Sequence, residues 1–549
     1  MRNLIASHAP AAARPARPSL LRTSLAVVAL LLACAPAGAR QATKKLPAPE
    51  KIMGEYLKAT GGRKRQAAVR DAVYEWKVTS AGGDSRVRVL TKAPGSVRAE
   101  SRTPAGEVTT AANPRVAWRG GPGSPVETLT GGESHAARLQ ALLAAGRLVD
   151  FKKSKVLART VGVEQVNGEP AYVVEFSTRE GARERFWFGV RSRLLLKTAD
   201  AAGKDAYVYG DYRPVEGLLV AHRAAHETGG REDATHVLTS VRFNAGLADS
   251  LFEPPSDASL DIPALLRDLA RNQDDVDQRV NDYTFTQKVT EREVNDRGEL
   301  KKETVKVREV YPVQGWGWVM KLVSENGQPL PPERAAREEK RVAEELEKAE
   351  REGPKRLREA EQKRQRERAK RAEKRRKQGA EGAEEDDDDV DVGIATFLRA
   401  SEFVSPRRER FRERDAIVFD FRPRPGFRAR TRGESIASKL SGVVWVDPVD
   451  RQVMRLEARL VEGFKIGGGL MASIKPGAAF AFEQTRLEDG VWLPRFSQVN
   501  ASARVLLFAG ITFNQTQEFG DYKRFATKTD EGQLHAPGGA AERPAEKPL

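Results

Sequence analysis

A chain of 549 residues is too long for one ordinary domain, and at about 150 residues per domain it has room for three or four units. Apolar residues make up 40% and charged residues 31%, with a mean hydropathy of −0.54, so globular parts must share the chain with a heavily charged segment. The net charge of +16 alone leaves nucleic acid, an anionic membrane surface and mere basic composition open. A single cysteine excludes a disulfide framework and any cysteine-based zinc or iron–sulfur site.

The N-terminus reads as a secretory signal peptide over residues 1–39. Arg2, Arg14, Arg17 and Arg22 precede an apolar run from Leu25 to Ala33, followed by small residues. The run is shorter than the roughly 20 residues a membrane-spanning helix needs. Two cleavage readings stand side by side. Ala37-Gly38-Ala39 fits ordinary signal peptidase and a free periplasmic protein, the preferred reading. Leu31-Leu32-Ala33-Cys34 resembles a lipobox, which would acylate Cys34 and anchor the protein in the outer membrane. Export also removes four of the positive charges, and no groove-reading or base-stacking motif is present, so no nucleic-acid partner is expected.

After a linker at 40–46, residues 47–62 read as a short helix with Ile52, Met53, Tyr56 and Leu57 on one face and Gly61-Gly62 as its stop. The period then changes to two. Tyr74, Trp76 and Val78 alternate with polar residues, and strand-like runs follow at 86–91, 96–101 and 107–111. Residues 130–146 read as a helix, after which strands resume from Lys155. Asn167-Gly168 marks a hairpin, and turn signals recur through to Phe243 as in an antiparallel meander.

A second stretch restates the first. Ala171 to Phe176 matches Ala416 to Phe421, Trp187 to Lys197 matches Trp445 to Arg455, and Val215 to Arg223 parallels Glu488 to Arg495. A helix from Ile262 to Arg279 stands where residues 50–59 stand in the first copy. We therefore divide the chain into a first unit at 47–256 and a second at 257–332 and 390–528, with a disordered tail at 529–549. The charged insertion at 333–389 interrupts the second unit. Residues 333–378 carry 19 Lys/Arg and 12 Asp/Glu, whereas 381–389 carry seven acids and no base. With only Val342, Leu346 and Leu357 as large apolar residues it lacks a coiled-coil seam. It reads as one or two solvated helices, broken at Gly353-Pro354, leading into an acidic disordered run. Such a segment is expected to be dispensable for folding, and its basic part would suit an anionic membrane surface.

The helix from Glu50 to Gly62 resembles the start of bacterial outer-membrane lipoprotein-sorting proteins, the superfamily of the LolA and LolB carriers and the RseB sensor. Gly168 with Tyr172 to Phe176, Leu194 to Leu196, Asp211-Tyr212-Arg213 with Gly217-Leu218, and Asn244 with Leu251 to Pro254 resemble it too. The resemblance covers nearly all of 47–256 and, more loosely, 258–526 outside the insertion. It implies a mainly β, α+β fold of two tandem curved antiparallel half-barrels lidded by helices, whereas the carriers are a single unit. It also implies a concave face that holds acyl chains.

Reactive constellations are few. His222 and His226 sit at a zinc-like spacing, but on a strand four residues span roughly 13 Å, too far for one metal. The acids at 386–389 lack the spaced ligands of a calcium loop. We therefore expect no enzyme activity, metal or cofactor, and leave the oligomeric state open. What remains is apolar surface. Trp76, Val78, Val174, Phe176 and Phe188 in the first unit, and Phe419, Phe421 and Val444 in the second, are the expected lining of a cavity for a lipid or lipoprotein acyl chain. The alternative is an RseB-like sensor or scaffold that binds a protein.

Overall fold

The computed structural model describes residues 46–269, 280–294, 300–378, 394–466, 472–505 and 509–524, apart from 104–105, 122–123, 150, 152 and 314. The segment read as a signal peptide, with Cys34, the acidic run at 381–389, residues 525–549 and the end of the helix expected to Arg279 lie outside the described residues.

Two open antiparallel sheets make up most of the protein. In the first, helices α1 (Pro49–Ala59) and α2 (Arg63–Ala68) lead into six strands: β1 (Asp71–Ser80), β2 (Gly83–Lys92), β3 (Ser96–Thr103), β4 (Gly106–Ala112), β5 (Ala117–Gly121) and β6 (Ser124–Thr128). Helix α3 (Gly131–Ala145) follows. Seven strands then return: β7 (Leu157–Val166), β8 (Glu169–Ser177), β9 (Arg183–Gly189), β10 (Leu195–Asp200), β11 (Asp205–Val215), β12 (Leu218–Thr228) and β13 (Arg231–Phe243). The order across the sheet is β6-β5-β4-β3-β2-β1-β13-β12-β11-β10-β9-β8-β7, so the first strand pairs with the last and the two arms end unpaired at β6 and β7. Asn167 and Gly168, at φ of 48° and 75°, make the hairpin turn between β7 and β8 that the sequence announces.

The second sheet repeats this plan. Helix α4 (262–269) precedes β14 (Tyr283–Val294), β15 (Leu300–Val313), β16 (Gly317–Glu325) and β17 (Gln328–Pro329). Helices α5 (Pro332–Gln378) and α6 (Ile394–Ala400) come next. The return arm is β18 (Ser401–Phe411), β19 (Arg414–Pro423), helix α7 (Arg432–Ala437), β20 (Leu440–Val446), β21 (Val453–Leu460), β22 (Phe464–Ile466), β23 (Ala472–Ile474), β24 (Ala479–Arg486), β25 (Trp492–Val505) and β26 (Ala509–Arg524). The order β17-β16-β15-β14-β26-β25-β24-β21-β20-β19-β18 again pairs first strand with last. In chain order the charged helix follows the outgoing strands and precedes the returning ones, as α3 does in the first sheet.

The described residues fall into two compact units. The larger lies within Met1–Gln273, Thr290–Thr304 and Gly382–Gln517, the smaller within Asp274–Val289, Val305–Glu381 and Glu518–Leu549. In the smaller unit the sequence reading needs correction. Helix α5 runs unbroken for 47 residues with Pro354 inside it. Proline removes one backbone donor there, which costs a free helix about 3 kcal/mol, but this helix is docked. Val342 and Ala349 are buried with Val319, and the Arg356 guanidinium lies 3.9 Å from the centroid of the Trp316 ring. Gly315 is what lets the turn of the proline come close, since a Cβ at 315 would stand 2.1 Å from the Gly353 carbonyl oxygen. Tertiary contact thus offsets the local break: the first half of the charged helix is docked along one stripe, through Val342 and Ala349, while most of its other residues are exposed.

Cores form where helices meet sheets. Helix α3 presents two stripes. Ala137, Ala141 and Ala145, at helical spacing, let it approach Val78, Val89 and Val97 closely. Leu139 and Leu143, on its other side, pack with Ile52 and Met53 of α1 against Val174, Phe176 and Phe188. In the second sheet, Ile262, Leu265, Leu266 and Leu269 of α4 cover Phe419, Phe421, Val444 and Val446. A further cluster joins Val116 and Trp118 to Val418, Val443, Trp445 and Trp492. The β19 strand is therefore buried on both faces, from Ala416 to Phe421 without a break. Among the described residues no helix is long and apolar enough to cross a membrane.

Candidate functional site

The C-terminal end of α3, residues 146–149, 151, 154 and 156 after it, and helix α2 line a half-open cavity of about 200 Å³. Leu142, Leu143, Leu148, Phe151, Val156 and Pro94 supply most of its apolar wall. Helix α3 ends at Gly146, and Arg147 and Leu148 then adopt left-handed φ values of 49° and 58°. For residues with a Cβ this conformation costs of order 1 kcal/mol each, so the surrounding packing must hold it. The turn delivers Leu148 into the core and Arg147 to the wall. Arg147 Nε donates to Gln66 Oε1 at 2.7 Å and Nη1 to the Tyr74 hydroxyl at 2.8 Å. Gln66 is itself fixed, its Nε2 donating to the carbonyl and hydroxyl oxygens of Thr60. A cavity of 150 Å³ lined by leucine and phenylalanine is known to stay dry and accept a hydrocarbon ring, so this one is large enough for a segment of an aliphatic chain.

The eight apolar residues expected to line a cavity divide into three packed groups. Val78, with half-buried Trp76 against it, faces the alanine stripe of α3. Val174, Phe176 and Phe188 lie under α1 and the leucine side of α3, and Phe151, on the cavity wall, meets Phe176 edge-on with ring centroids 5.7 Å apart. Phe419, Phe421 and Val444 lie under α4, with Phe397 of α6 against Phe421. None of the eight contacts the cavity space directly; Phe151 stands between it and the Phe176 group. Of the run Val505 to Phe508 only Val505 is within the described residues. Residues 146–156 carried no sequence signal for a cavity wall, since neither left-handed position is a glycine.

The two-histidine spacing resolves differently from a metal pair. His222 and His226 lie on β12, and each ring is held separately. His222 Nδ1 is 2.9 Å from the Val220 carbonyl oxygen, while His226 is clasped by Asp233 at 2.5 Å and Asp205 at 2.7 Å. Burial alone would lower the His226 pKa, but the two carboxylates outweigh it and raise it. His236, its neighbour across Tyr207, is pushed down to about 4 by burial and by the charge on His226. A histidine whose folded pKa lies below its ordinary value of 6.5 gives stability that is complete above that pH and lost as pH falls toward 4. Replacing His236 by phenylalanine is expected to flatten this part of the profile. Between pH 6.5 and 4.5 the His236→Phe protein should lose less melting temperature than the parent, and an equal or greater loss would contradict the assignment.

No protein-family profile matches the chain, and no curated protein does. Solved structures do. The chain is similar to a LolA superfamily protein from Nitrosomonas europaea, with 14% identity and a TM-score of 0.28, over 38% of this chain and 99% of that one. It is similar to a DUF1329 family protein from Desulfovibrio piger, with 14% identity and a TM-score of 0.27, over 37% of this chain and 96% of that one. The MucA/MucB complex structure from Pseudomonas aeruginosa aligns with 9% identity and a TM-score of 0.14, over 85% of this chain and 94% of that one.

Proposed function

We propose that this is a non-catalytic cell-envelope protein that takes a lipid or lipoprotein acyl chain into the apolar interior of its sheets. The observation that carries the reading is the apolar cavity of about 200 Å³ at the end of α3. A chain segment seated there meets Leu142, Leu148 and Phe151. Displacement of Phe151 extends the space toward Phe176, Val174 and Phe188, with Trp76 and Val78 farther along the same side of the sheet. Phe419, Phe421 and Val444 form the corresponding face of the second sheet, closed by α4 and Phe397, and a chain enters there only when that cover moves aside. The protein acts after export, either free in the periplasm or held to the outer membrane through an acylated Cys34.

The test is native mass spectrometry of protein purified from the envelope. A co-purifying lipid mass is expected on the parent protein. Ala67 is exposed and sits on the cavity rim, so Ala67→Trp can plug the space without opening the core. Excluding about two methylenes, at about 0.8 kcal/mol each, weakens affinity by roughly tenfold and lowers the fraction of lipid-bound protein. Absence of lipid on the parent protein would overturn the reading and favour a sensor or scaffold that binds a protein instead.

A further inference from the structure

A second pocket, sharing no residue with the first, lies between α3 and strands β20, β21, β24 and β25. It is half-open, and its volume of about 40 Å³ has room for roughly three water-sized groups. Four guanidinium groups line it, from Arg115, Arg138, Arg455 and Arg459, against two carboxylates, Glu180 and Glu457.

Two of the four arginines are committed. Arg115 pairs with Asp420 at 3.0 Å and with Glu253. Arg455 pairs with Glu483 at 2.5 Å and with Glu457 at 2.6 Å. Glu457 Oε1 also accepts the Gly131 N–H at the start of α3, at 3.0 Å, so Arg455 and the helix end share that one oxygen. Arg138 and Arg459 are the remainder. Arg138 Nε is buried without a hydrogen-bond partner. Arg459 donates to the Pro114 carbonyl oxygen and otherwise feels Arg138, a like charge, with Glu180 as the countercharge acting on both. Burial and the neighbouring Arg138 push the Arg459 pKa down to about 10, the signature of a guanidinium short of an anion. His135, driven to about 4 mainly by burial, is neutral and adds no charge. On the opposite wall Asn500 Oδ1 is also buried and unpaired; the same amide, turned over, presents an N–H to the pocket.

Buried donors without partners are costly, the more so when charged, and two guanidinium groups that share one carboxylate beside a polar-lined pocket are relieved by an oxyanion. We propose that this pocket binds a phosphate group between Arg138 and Arg459, supplied as free phosphate or as the headgroup of a phospholipid. Tetrahedral oxygens suit two guanidinium forks and one amide, which is the donor set on the walls.

Calorimetric titration of the full chain tests this, using inorganic phosphate and, separately, dihexanoyl phosphatidylglycerol below its micelle concentration. Ionic strength is held constant with chloride. Saturable binding of either is expected. Both binding assigns the phosphate group itself, and phosphatidylglycerol alone assigns the headgroup. Arg138→Gln and Arg459→Gln should each weaken binding by roughly tenfold or more, while Arg213→Gln, on an exposed pair with Asp211, leaves it unchanged. Glu180→Gln removes the competing carboxylate and should tighten binding, which decides the matter even if an arginine variant fails to fold. No binding of either probe, or an unaltered titration in the Arg138 and Glu180 variants, would overturn the proposal.

Discussion

Replacing Arg407 by leucine is expected to destabilise the protein by about 3–5 kcal/mol, because it leaves the buried Glu409 carboxylate without a cation and Asp420 with Arg115 alone. Its side chain is 3% exposed, and its two acidic partners, Glu409 and Asp420, are 1% and 0% exposed. Arg407 Nε donates to Glu409 at 2.6 Å, Nη1 to Asp420 at 2.9 Å, and Nη2 to the Thr128 hydroxyl at 2.5 Å. Glu409 in turn accepts the backbone N–H and hydroxyl of Thr128, at 2.9 and 2.6 Å. Thr128 ends β6 of the first sheet, and the charged pair stands on β18 and β19 of the second, so the network stitches one sheet to the other. The adjacent Arg408 pairs with Asp257 at the surface, and its replacement should change nothing measurable. Denaturant unfolding followed by tryptophan fluorescence gives both values, since Trp118 and Trp445 sit in the cluster that joins the same strands. A loss under about 1 kcal/mol for Arg407→Leu would mean that water reaches the network.

This network was invisible in the sequence, and the reason is geometric. Arg407 and Glu409 alternate with Arg408 and Arg410, so the period-two pattern of β18 gives no sign of which face is buried. The partner that decides it, Thr128, lies 281 residues from Glu409. The strands with a clean alternation or a glycine turn were legible: β1, the hairpin at Asn167-Gly168, and the paired arms that repeat around Ala171 and Ala416. Strands β5 and β6 were not, because Ala117 to Gly121 is short and glycine-ended and part of what buries its Trp118 comes from distant strands that carry Val418 and Trp445. Helix α2 was missed because its sequence, Arg63 to Ala68, is charged and lacks an apolar stripe; Gln66 holds it by bonding Thr60. The break expected at Pro354 failed because a neighbouring turn receives the helix, a contact no local rule contains. The candidate cavity was legible only in its surroundings. The apolar strand faces picked out as a cavity lining lie packed beneath helices, and the wall itself depends on Arg147 and Leu148 in a conformation that neither residue advertises.

Truncating Phe421 to alanine is expected to cost a further about 3–5 kcal/mol, the range for emptying a buried aromatic site. The ring is fully buried, with Phe397 edge-on at 4.6 Å and the α4 leucines around it. It also presses on Gly442 of β20, where a Cβ would lie 2.8 Å from Phe421 Cζ and 1.8 Å from the Glu457 carbonyl oxygen. Gly442→Ala should therefore be destabilising as well, by about 1–3 kcal/mol for an overpacked site. Removing the ring cannot relieve it, because the backbone oxygen remains. The double variant Gly442→Ala/Phe421→Ala separates the two contacts: little or no rescue is expected, and a full recovery would show that the ring alone blocks the Cβ. The same measurement bears on the proposed second acyl face. If Phe421 is close-packed core, the void left by alanine costs the full range and the variant gains affinity for a small apolar probe such as benzene. If it already borders ligand space, truncation costs under about 1 kcal/mol and the probe binds the parent protein equally well. Denaturant melts with and without benzene distinguish the two outcomes, and the packing around Phe397 leads us to expect the first.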